Sequence, residues 1–141
     1  MIRIENKAVI DVVLARAALR HLLDRARPAM LTRDNTAAIG LLVDNAFSAL
    51  CLGLIPYVSE ARRLPDTGSF ELELKALPGR QETEVRHTAE EALAAYALCL
   101  AYDGVDAEMV DGCRREFASL LSRCRHLCGG STLTPMSAAW Y

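Results

Sequence analysis

Lysine is almost missing from this chain. Of 16 basic residues only Lys7 and Lys75 are lysines, and the rest are arginine. Against them stand 18 acidic residues, for a formal net charge of −2, so the basic surplus of a general nucleic-acid binder is lacking. Aromatic residues are few, with three Phe, one Trp and four Tyr, which leaves little to stack on bases. The segment Met1-Ile2-Arg3-Ile4-Glu5-Asn6-Lys7 carries charges where a signal peptide needs its apolar core. Five cysteines are an odd number without a secretory context. We therefore expect reduced thiols, and a cytoplasmic location or a place in an assembled particle.

Several chemical signatures are also missing. No Gly-rich phosphate loop, nucleophile elbow or His-Glu-x-x-His motif occurs. Gly129-Gly130 follows a helical stretch instead of opening one, so it reads as a stop. The sequence points to no catalytic residue, no cofactor and no metal.

Alanine and leucine, by contrast, are abundant at 22 and 21 residues, and 52% of the chain is apolar. Both are strong helix formers, so a mostly α protein is expected. A chain of 141 residues suits one domain, here residues 1–130, followed by an extended or disordered tail at 131–141 with Pro135 and no periodicity.

The first helix is expected from Asn6 to Ala26. Its seam Ala8, Val12, Ala15, Leu19, Leu22 and Ala26 alternates steps of four and three, and Val9, Ile10, Val13, Leu14 and Ala17 form a second apolar patch. The second helix is expected from Thr36 to Val58, buried on most faces, with Asp44 as its one charge. It is long enough to cross a bilayer. However, Asp44, Asn45 and Ser48 lie near its middle, where polar groups oppose insertion, so no membrane is expected.

Turn chemistry at Leu64-Pro65-Asp66-Thr67-Gly68-Ser69 leads into a strand, where Phe70, Leu72, Leu74 and Ala76 alternate with Glu71, Glu73 and Lys75. Its partner is Gln81 to His87, Ile2-Arg3-Ile4, or a strand of another subunit. Thr88-Ala89-Glu90-Glu91 reads as a capping box opening the third helix, which Asp103-Gly104 stops. Asp106 caps the fourth, whose seam is Val110, Cys113, Phe117, Leu120, Cys124 and Leu127. The predicted architecture is a four-helix bundle with a short β-hairpin or single strand inserted between helices two and three.

Two groups of residues invite a functional reading. Cys113, Cys124, His126 and Cys128 look like metal ligands until their phase is drawn: the three cysteines share an arc of about 60° with Phe117 and Leu120, and His126 points elsewhere. Buried core thiols are the expectation. Asp44 and Asn45 form the other candidate, as a polar core or interface pair or as a solvent-facing strip, with Arg16, Arg20 or Arg25 as ion partner.

Candidate docking residues are Phe70, Leu72 and Leu74 on the strand and the terminal aromatics Trp140 and Tyr141. Charge is uneven, with a net +4 over residues 1–33 and −3 over residues 60–91, which suits attraction between copies. The layout of small bundle, β excursion and tail resembles adaptor or connector proteins of phage and prophage particles. The leading expectation is a non-enzymatic interaction or assembly module, a homo-oligomer or a binder of another protein. A ligand-binding or enzymatic bundle with a pocket near Asp44 is the alternative, and a membrane-associated protein using residues 36–58 the third.

Overall fold

Short apolar alternation at the N-terminus and two helical periods on either side of a turn-rich middle fix the order of elements. The computed structural model describes residues 1–23, 31–75 and 81–129. It contains β1 (Ile2–Glu5), α1 (Asn6–Leu23), α2 (Thr36–Gly53), β2 (Val58–Leu64), β3 (Ser69–Leu74), α3 (Glu82–Tyr102) and α4 (Ala107–Gly129). Short 3-10 turns at Arg33–Asn35 and Ile55–Tyr57 flank α2. Over the described residues the protein is mostly helical, with four helices and a three-stranded antiparallel sheet in the order β1-β3-β2.

The expected bundle with an inserted hairpin is thus corrected. The strand at Ser69–Leu74 does receive Ile2–Ile4, with Ile2 opposite Leu72 and Ile4 opposite Phe70. Its second partner is Val58–Leu64, joined through a turn closed by Gly68 at φ 63°. That strand is hidden in the sequence because only Val58 and Leu64 are large and apolar, while Glu60, Arg62 and Arg63 give it an exposed, charged edge. The candidate return strand Gln81 to His87 is instead the start of α3. Val85, Ala89 and Ala92 are all fully buried at steps of four and three, so core contacts draw the helix upstream of the expected cap. Thr88 is therefore an interior position, its hydroxyl donating to the Glu84 carbonyl at 2.8 Å.

The innermost helix is also not the expected one. Ala92, Leu93, Ala94 and Ala95 are four consecutive residues with no exposed surface. Four successive positions at 100° each go round the helix, so over this turn α3 is enclosed on every side. It packs against α1, α2, α4 and β1. α2 is buried along one stripe only, through Ile39, Val43, Ala46, Phe47 and Leu50. It ends at Gly53, where Pro56 and a 3-10 turn redirect the chain into β2. A Cβ on Gly53 would stand 2.6 Å from Leu121, so glycine lets α4 pass close to this end.

On α1 the buried residues are Val9, Val13 and Ala17. The expected seam turns inward only at its start, where Val12 packs beside the core; Leu19 and Leu22 are 58% and 57% exposed. Two apolar stripes cannot be ranked by period alone. Arg16 and Arg20 decide it, because they flank Val13 and Ala17 and reach across to α4. Ala26, Arg25 and Ala76 lie outside the described residues, as do Trp140 and Tyr141.

Enclosure of α3 by small side chains makes a direct prediction. Ala92→Leu, which overfills the packing, lowers stability by about 1–3 kcal/mol. Ala118→Leu on the exposed side of α4 changes it by less than about 0.5 kcal/mol. Urea titration of both variants checks this; equal effects would refute the enclosed position of α3.

Candidate functional site

Asp44 sits on the flank of α2, between its buried stripe and its outer face, and its partner comes from the sheet. Arg63 lies opposite Phe70 in the β2–β3 register, on the side of the sheet that meets α2. Its Nε donates to Asp44 Oδ1 at 2.7 Å, and its Nη2 to Ser48 Oγ at 2.5 Å and to the Asp44 carbonyl at 3.3 Å. The same guanidinium lies 5.1 Å from the centroid of Phe47, whose ring stacks on Phe70 at 4.2 Å. Arg63 therefore closes the open end of the aromatic core with its flat side and pairs with α2 at its rim. Asp44 and Arg63 are 49% and 43% exposed, so this pair is screened and fastens the sheet to α2 only modestly. Asn45 is exposed and points away from the core.

The arginines of α1 named as candidate partners of Asp44 go elsewhere. Arg16 forms a two-pronged pair with Glu116, at 3.0 and 2.6 Å, and Arg20 does the same with Asp106, at 2.8 and 3.1 Å. Asp106 is buried and also accepts from the Met109 amide at 3.1 Å, so one carboxylate caps α4 and holds α1. Sequence reading identified the cap. It missed Arg20, because nothing local relates residues 86 positions apart.

The cysteines lie where their phase put them. Cys113, Cys124 and Cys128 are buried, and His126 is exposed on the far side of α4. No group of three His, Cys, Asp or Glu side chains suited to a metal ion occurs among the described residues. Burial pushes the Cys124 thiol from its ordinary 9.0 up to about 12 and Cys128 up to about 11. Cys99 rises to about 11, first through burial and then through its neighbour Cys113. Such thiols hold their protons at neutral pH, which is the opposite of an activated nucleophile.

Two shallow clefts adjoin at the α3–α4 turn. One, of about 210 Å³, is lined by Tyr96, Cys99, Leu100, Asp103, Arg114 and Phe117 among others. Its neighbour, of about 310 Å³, is lined by Asp103, Gly104, Val105 and Asp111 among others. Both are at or below the small end of the range for small-molecule sites, and neither includes Asp44 or Asn45.

The candidate docking residues divide. Phe70 and Leu72 are 2% and 0% exposed and belong to the chain's own core, and Leu74 is partly buried beside it. Large exposed apolar residues occur instead on the helices. Leu41 and Leu52 on the outer face of α2 are 71% and 70% exposed, and Ile55 just beyond is 61% exposed. The stretch Arg33–Gly53 is long and apolar enough to cross a membrane by length and composition, yet only 28% of its apolar window is buried. Periodicity already contained these positions, but it could not say which apolar face of a helix would be left outside.

No protein-family model matches the chain, and neither the curated proteins nor the solved structures include a significant match.

The raised thiols predict a pH dependence. In the unfolded chain thiols ionise near pH 9, while in the folded chain they stay protonated to about 11–12. The unfolded state then binds fewer protons, so stability is full below pH 9 and falls as pH rises from there. The urea midpoint at pH 10.5 lies below that at pH 8, and Cys124→Val reduces the fall. An unchanged difference in that variant would show that Cys124 is not a buried thiol.

Proposed function

We propose that this chain is a non-enzymatic interaction and assembly module that associates with itself. One observation carries the reading: heptad-spaced stripes on two helices face outward although they are apolar enough to pack. On α1 the stripe passes through Ala15, Leu19 and Leu22, and on α2 through Ala38, Leu41, Asn45, Ser48 and Leu52. Neither stripe contributes a large residue to the chain's buried core. Exposed leucines recurring along one helix face are of the kind found at contact sites between proteins.

The cytoplasm, or an assembled particle, is the setting in which such a module with protonated thiols would work. An adaptor or connector of a phage-type particle is a narrower form of the same proposal, supported by layout alone. An α2 lying in a bilayer is disfavoured by the Asp44–Arg63 ion pair and by Asn45 and Ser48 on its outward side. Among the described residues, the ligand-binding reading is supported by the two small clefts at the α3–α4 turn.

The outer face of α2 is about 27 Å long and about 10 Å wide, a few hundred Å² per copy. A standard stable complex buries about 800 Å² on each partner. Association through this face is therefore reversible and depends on concentration. Light scattering over roughly 1–500 μM shows the mean mass rising above 15.4 kDa. Leu52→Glu weakens the association about tenfold or more while leaving the circular dichroism spectrum unchanged. A monomer throughout that range would overturn the proposal.

A further inference from the structure

The outer face of α2 has a property that a generic sticky surface lacks: it reads the same from both ends. Leu41 and Leu52 lie at equal distances, about 8 Å, on either side of the midpoint between Ala46 and Phe47. Asn45 and Ser48 lie symmetrically inside them, and Ala38 and Ile55 outside. Leu41, Asn45, Ser48 and Leu52 fall within about 60° of one another on the helix, opposite the buried stripe centred on Val43 and Leu50. A strip of this kind complements a copy of itself turned end for end.

We propose that the occupant of this face is a second copy of the chain, its α2 antiparallel to the first and related to it by a two-fold axis that passes between the two helices, level with their midpoints. This rests on the self-association reading and gives it a geometry. Each Leu41 packs against Leu52 of the second copy, and each Asn45 meets Ser48 of the second copy. The polar centre argues for this partner over an apolar one. Lipid or an aliphatic surface would strand Asn45 and Ser48, whereas the turned copy brings an amide to a hydroxyl twice. Ser48 Oγ already accepts from Arg63, which leaves its own O–H to donate to the Asn45 side-chain oxygen of the second copy.

Charge selects antiparallel over parallel pairing. One edge of the strip carries the Asp44–Arg63 pair, and the other carries Leu42 and Ala49. In an antiparallel pair like edges meet, so two acids and two arginines share one rim and sum to zero. In a parallel pair each ion pair would be pressed against the apolar edge of the other copy and lose water without compensation. Antiparallel helices also set the positive N-terminal end of each dipole beside the negative C-terminal end of the other.

The test uses the full chain with Cys51 and Cys99 replaced by alanine, so that the remaining native thiols are buried. Leu41→Cys and Leu52→Cys proteins, one carrying a size tag, are oxidised separately and as an equal mixture. In the antiparallel pair Leu41 of one copy lies beside Leu52 of the other, whereas the two Leu41 positions stand about 16 Å apart, beyond the reach of a disulfide. The mixture therefore yields a mixed disulfide dimer at least about fivefold in excess of either homodimer. Preferential Leu41→Cys homodimers would mean a parallel pair and overturn this geometry while leaving self-association standing. A dimer by scattering that cross-links at neither position and ignores Leu52→Glu would place the contact elsewhere, with the same consequence. A protein that stays monomeric removes both proposals, and the face then belongs to another partner, a lipid surface or the chain's own tail.

Discussion

A helix enclosed by three others and a strand must be thin, and α3 is. Ala89, Ala92, Ala94, Ala95 and Ala97 are all fully buried, and their methyl groups let the surrounding backbones come near. Every other element is placed by this requirement. α1, α2 and α4 each turn one apolar stripe toward α3, and β1 meets it through the sheet. Among the described residues no second layer of helices lies over the outer faces, and the apolar residues there are not part of the buried core.

The polar contacts divide the remaining work. α1 and α4 do not pack closely on each other; Arg16 and Arg20 reach across to Glu116 and Asp106, so two charged clasps link them in place of an apolar seam. Where the sheet meets α2, the stacked Phe47 and Phe70 are covered by the Arg63 guanidinium. In both places an arginine lies flat or forked, which a lysine could not do as well. Arginine, which supplies all but two of the basic residues, is used in this way at three positions.

Local signals were legible, and choices between equal surfaces were not. The strand at Phe70–Leu74, the turn before it, the cap at Asp106 and the stop at Asp103-Gly104 are each written within a few residues, and each is where the chain's chemistry puts it. β2 escaped notice because an edge strand carrying Glu60, Arg62 and Arg63 has no alternation to read. The start of α3 was misplaced because Thr88-x-x-Glu91 has the form of a cap, and only contact between Val85 and the rest of the core overrides it. On α1 two apolar stripes competed, and arginines pairing with residues on α4 settled which one turned inward. Asp44 was recognised as needing a partner, but Arg63 could be found only once β2 existed.

The same failure to rank the stripes has a functional meaning. A sequence that sets apolar residues at heptad spacing on two faces of one helix has prepared two contact surfaces, and a single copy uses only one of them. Leu41 and Leu52 are each about seven-tenths exposed and add almost nothing to the folded monomer. Their substitution should therefore be nearly silent in stability and expressed in association, because sites without shared partners behave additively. Folding and the use of the outer face are thereby separable in this chain: α3 holds the copy together from within, and in the proposed pairing Asn45 and Ser48 on the outer face of α2 would fix how two copies meet.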